Sequence, residues 1–141
     1  MTKSKVLDLS TLDTTTACNA GAKVELRHPS TNEPLGIYIN VLGRDSDVFK
    51  EYIRQSINDT LRRNALAKKR GRDVDVPTVE TQEAETIDLL TVCTTGWEGI
   101  IMKGEALAFN VANVKRVYTE MAWVRNQINE AIGDLENFMK G

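Results

Sequence analysis

Histidine occurs once in this chain of 141 residues, cysteine twice and proline three times, and aromatic side chains make up only 6%. Each scarcity removes a class of function. His28 stands beside Pro29 with no base, nucleophile or second ligand placed next to it, so histidine-based catalysis has no constellation to work with. Cys18 and Cys93 lie far apart without ligand-like spacing, which predicts reduced, partly buried thiols rather than zinc ligands. So few aromatics exclude a series of base-stacking platforms. No run approaches the roughly 20 apolar residues of a membrane span, and the polar start Met1-Thr2-Lys3-Ser4-Lys5 predicts no signal peptide. Gly96-x-x-Gly99 lacks the strand context and the Lys-Ser/Thr of a phosphate loop, and no Gly-x-Ser-x-Gly elbow occurs. Asp73 and Asp75 are not followed by further ligands at loop spacing. The expectation is a protein that is not an enzyme and uses no cofactor or metal.

What remains is an ordinary soluble composition, 41% apolar and 27% charged with a net charge of −2. That balance gives no global electrostatic case for nucleic acid or an anionic membrane. The length fits one α+β domain. Residues 1–22 are small and polar, and read as a flexible N-terminal arm. From Lys23 the pattern alternates: Val24 and Leu26 against Lys23, Glu25 and Arg27, then Leu35, Ile37, Ile39 and Val41 against Gly36, Tyr38 and Asn40. Between the runs lies the turn-rich Pro29-Ser30-Thr31-Asn32-Glu33-Pro34, so 23–42 is predicted to be a β-hairpin. A lone hairpin is marginal in water, and three helices are expected to cover it.

The first helix, about 47–69, carries Phe49, Tyr52/Ile53, Ile57, Leu61 and Ala65 at helical spacing, with Asp45 and Ser46 as candidate caps. Its end is basic, with Arg62, Arg63, Lys68, Lys69, Arg70 and Arg72. Those cations complement the helix dipole; a nucleic-acid patch is the alternative reading, without a recognisable recognition module. Gly71 to Pro77 reads as a linker, with Val74-Asp75-Val76-Pro77 biased to extended conformation, and Thr78 opens a second helix, about 78–95. Gly96-Trp97-Glu98-Gly99 is expected to be a turn that fixes Trp97 as a structural plug, with Gly96 and Gly99 supplying conformational freedom. Lys103-Gly104-Glu105-Ala106 is a polar break. One long amphipathic helix, 111–139, follows, capped by Asn110, with Phe109 placed to staple onto Val114. Its stripe includes Val114, Tyr118, Met121, Ile128, Ile132, Leu135 and Met139, and the heptad-like repeat lapses at Arg125. About 28 residues of helix would be roughly 42 Å long, beyond the about 30 Å width of such a domain. The surplus end is therefore predicted either to protrude or to meet a partner or a second copy of the chain. Tyr118, Met121, Trp123, Phe138 and Met139 are the candidate contact residues.

Pro29-Ser30-Thr31-Asn32-Glu33-Pro34-Leu35-Gly36 and Val41-Leu42-Gly43-Arg44-Asp45-Ser46, followed by Gly96-Trp97-Glu98-Gly99 and Phe109-Asn110-Val111-Ala112-Asn113-Val114, resemble the tail assembly chaperones of long-tailed bacteriophages. The resemblance runs from Val24 to Phe138 and lies in the order and spacing of turns and caps. Where that family commonly has glycine in the hairpin turn this chain has Asn32, which also tolerates left-handed backbone. The resemblance implies a non-enzymatic protein of the infected host cell's cytoplasm. It would hold the tape measure protein in soluble form, help recruit tail tube subunits, and be missing from the finished virion; some family members also have a longer frameshifted product. Two other readings stand beside it: a tail or head–tail connector protein retained in the virion, and a nucleic-acid-binding regulator acting through Arg62 to Arg72.

Overall fold

The computed structural model describes residues 8–73 and 78–139. Residues 74–77 of the expected linker, Asp75 with them, the first seven residues and the last two lie outside that range. The chain is α+β, with an N-terminal hairpin and helices packed against it. Strands β1 (Ala22–Arg27) and β2 (Pro34–Val41) pair antiparallel, Val24 opposite Ile39 and Glu25 opposite Tyr38. The connecting turn is closed by His28, whose amide donates to the Glu33 carbonyl and whose carbonyl accepts from Asn32. Its Nδ1 accepts from the amides of Ser30 and Thr31 at 3.0 and 3.1 Å, so the lone histidine builds this turn. Asn32 sits at φ +63°, the left-handed position where its amide side chain is tolerated.

Two expectations are corrected at the edges of this hairpin. The supposed arm contains helix α1 (Thr14–Ala20), which is capped by Asp13 and buries Cys18 completely. The Thr14 and Thr15 hydroxyls donate to Asp45, holding that carboxyl below the usual range and tying α1 to the end of the strand-exit loop. On the other side the sheet has a third strand. Helix α3 (Val79–Cys93) stops two residues short of the expected end at 95, and β3 (Thr94–Glu98) pairs antiparallel with β2, Trp97 opposite Ile39. The Thr94 hydroxyl donates back to the Leu90 carbonyl, one of the groups that a helix end leaves open, and the Thr91 hydroxyl bonds back to the Ile87 carbonyl within the last turns. Gly96, Trp97 and Glu98 are therefore strand, and the reversal falls on Gly99 at φ +81°. The sheet order is β1-β2-β3. The polar break is a small hairpin of its own, β4 (Ile101–Met102) and β5 (Glu105–Ala106). Its two loop residues, Lys103 and Gly104, have φ of +52° and +80°, as a tight hairpin turn requires.

The last expected helix differs most. It is two helices, α4 (Val111–Glu120) and α5 (Ala122–Gly133), separated at Met121, where φ and ψ are −111° and 82°. A 3-10 turn over Leu135–Asn137 follows. Arg125 holds the break: its guanidinium donates to the Tyr118 carbonyl at 2.8 Å and pairs with Glu83 on α3 at 3.2 Å. Folding the segment in two lets both halves reach one core, built from Val114, Val117 and Tyr118 on α4 and Val124, Ile128 and Ile132 on α5. These pack with Leu26, Ile39 and Val41 of the sheet and Leu90 and Cys93 of α3. Gln127 of α5 clips the free edge of β1, accepting from the Arg27 amide at 2.9 Å and donating to its carbonyl at 2.8 Å.

Surplus length is present, but on α2 (Asp47–Lys69), a helix of 23 residues and roughly 35 Å. Ser46 caps it as expected, accepting from the Phe49 amide. Its apolar stripe was expected to cross the hairpin; instead none of its residues is buried, and Ile53, Ile57, Leu61 and Leu66 are exposed.

Candidate interaction site

The five candidate contact residues separate. Tyr118 is fully enclosed, its hydroxyl 2.7 Å from that of Thr94, and Phe138 packs in the core beside Gly43 and Cys18. Neither presents a surface to a partner. Met139 is exposed beyond the last turn. Met121 and Trp123 come together, both half-buried, because the break at Met121 turns them toward the same hollow.

That hollow is an apolar groove of about 240 Å³ between the β4–β5 hairpin and the α4–α5 break. Ile100, Ile101 and Met102 form one wall, Met121, Trp123 and Val124 the other, and Leu26 and Ile37 the floor. Lys103 is its polar edge, 3.9 Å from Glu120 across the mouth. Ile101 stands 65% exposed at the rim. The hollow is smaller than the roughly 300–1,000 Å³ typical of small-molecule pockets, and suits one or two inserted aliphatic side chains. Apart from Lys103 its lining is apolar, so its chemistry is burial.

Trp97 lies outside the groove and is structural in its contacts. Its indole N–H donates to the Leu107 carbonyl at 3.1 Å, and Phe109 meets it edge-on with ring centroids 5.5 Å apart. Phe109 thus packs on Trp97, whereas the sequence pattern pointed it at Val114. Gly99 supplies the left-handed turn; Gly96 has ordinary backbone and lies opposite Asn40. The sequence reading missed Ile101, although Lys103-Gly104 between two short extended pairs is a hairpin signal that would have placed it.

Among the described residues no group of three His, Cys, Asp or Glu side chains is arranged to hold a metal ion, and no helix is long and apolar enough to cross a membrane. Both cysteines are free and buried, and burial pushes the Cys93 thiol up to about 11. No protein-family model, curated protein or solved structure matches this chain.

Proposed function

We propose that this protein is a bacteriophage tail assembly chaperone that takes up apolar helix faces of a tape measure protein, keeps that protein soluble and helps bring tail tube subunits to it. On this reading it acts without turnover or cofactor, in the cytoplasm of the infected host, and leaves before the virion is complete. The resemblance in turn and cap order motivates the reading. The observation that carries it furthest is the groove between Ile101 and Trp123: an open, nearly all-apolar slot of side-chain size. Helix-in-groove recognition inserts such anchors at spacings of three, four and seven residues. A long helical client would offer them repeatedly.

Co-expression with the tape measure protein from the same genome tests the reading. A soluble complex that elutes together is the expected result, with the client insoluble when made alone. If the client is equally soluble alone and no complex elutes, the reading fails. Finding this chain as an abundant component of purified particles would replace it with a structural tail role.

A further inference from the structure

Helix α2 is the element the core leaves uncovered. Ile53, Ile57 and Leu61 recur every four residues and are 37%, 54% and 61% exposed, forming one continuous ridge. Ile53 also lines a groove of about 350 Å³, whose opposite wall is Gln82, Thr86 and Leu89 of α3, spaced by four and three. The two helices touch along a thin seam there, marked by a 3.4 Å hydrogen bond from the Tyr52 hydroxyl to the Glu85 carbonyl. An apolar ridge beside a groove between two helices is a seat for a third helix.

The charges say what kind. From Thr60 to the end of α2 the chain carries Arg62, Arg63, Lys68 and Lys69 and no carboxylate, and Arg70 and Arg72 follow. None of these six takes part in an ion pair among the described residues. The helix dipole accounts for cations in the last turn only, and Arg62 and Arg63 lie before it. We infer that the α2–α3 groove docks an amphipathic helix of a partner protein, with the partner's apolar stripe on Ile53, Ile57 and Leu61 and its flanking carboxylates facing the cationic distal half of α2. A nucleic acid would satisfy the cations but leave the apolar ridge of Ile53, Ile57 and Leu61 uncovered. This site is distinct from the Ile101–Trp123 groove and stands independently of the tape measure reading.

The test is fluorescence anisotropy on the full chain with labelled synthetic peptides. One has leucine at every fourth position and glutamate on both flanks; a second has lysine on the flanks; a third has the first one's composition in scrambled order. The acidic amphipathic peptide should bind, and the other two should bind at least about tenfold more weakly. Ile57→Asp and the pair Arg62→Glu, Arg63→Glu should each weaken it about tenfold or more. These side chains are exposed, so unchanged thermal unfolding is expected to show that the fold persists. Ile101→Asp, in the other groove, should leave this binding unaltered. Equal binding of the scrambled peptide, indifference to Ile57→Asp, or no binding at all overturns the inference. A single-stranded oligonucleotide that binds more tightly than the acidic peptide would overturn it in favour of nucleic acid.

Discussion

The hydroxyls of Tyr118 and Thr94 meet 2.7 Å apart in a fully enclosed part of the core, joining the end of α4 to the first residue of β3. Thr94 spends its own proton on the Leu90 carbonyl, so Tyr118 is the donor between them. The contact fixes where α3 stops and the third strand begins.

Tyr118→Phe keeps the ring and leaves Thr94 bonded to Leu90, so it should cost only about 0.5–1.5 kcal/mol. Tyr118→Ala opens a cavity and should cost about 3–5 kcal/mol. Urea unfolding of the two variants checks the ranking. Equal and small losses would mean the site is not packed as described.

Alkaline pH should destabilise the fold through the same region. Burial raises the Tyr118 phenol to about 12 and the Cys93 thiol to about 11, above their ordinary values. Both are acids kept neutral in the folded chain, so the unfolded chain loses these protons first as pH rises. Their contribution is intact below about pH 9 and is lost across about pH 9–12, with a slope of up to about 1.4 kcal/mol per pH unit for each group. Unfolding midpoints at pH 8 and pH 10.5 measure it. The double variant Cys93→Ala, Tyr118→Phe should flatten the decline; an unchanged slope would assign it elsewhere.

Arg125→Ala removes the donor to the Tyr118 carbonyl and the partner of Glu83. The part-buried carbonyl bond accounts for most of an expected loss of about 1.5–3 kcal/mol, because Glu83 is half exposed and its ion pair is screened. Arg125→Lys keeps the charge but not the planar fork, and should recover little. Thermal unfolding of the two variants decides this.

Two glycines should respond in opposite directions. A Cβ on Gly43 would lie 2.9 Å from the Cys18 Cβ and 3.1 Å from the Phe138 ring, whereas one on Gly133 meets nothing. Gly43→Ala should therefore lose about 1–3 kcal/mol, and Gly133→Ala should gain up to about 1 kcal/mol in helix propensity. Chemical denaturation of both, side by side, is the measurement.

In the Ile101–Trp123 groove, Ile101→Asp and Met121→Asp should abolish co-elution with the tape measure protein. Ile101 is mostly exposed, so its variant should unfold at the wild-type temperature. A soluble complex formed undiminished by Ile101→Asp would remove the groove from the proposed function.

Local signals in the sequence determined much of this protein. The alternation on either side of Pro29–Pro34, the left-handed tolerance of Asn32, and the caps at Ser46, Thr78 and Asn110 all act within a few residues of themselves, and each stands where its chemistry put it. The lapse of the apolar repeat at Arg125 was also legible. Its meaning was not, because the groups Arg125 binds lie on α3 and at the end of α4, and no spacing along one helix reveals them. Only the tertiary structure decided which of two amphipathic helices is buried. Both stripes carry enough apolar surface to enter a core, and periodicity cannot rank them. The core holds one set of layers, filled by the broken segment α4–α5 on the sheet, so the stripe of α2 is left in solvent. Tyr118 and Phe138 thereby became core, Met121 and Trp123 became a groove, and the free helix moved from the end of the chain to its middle.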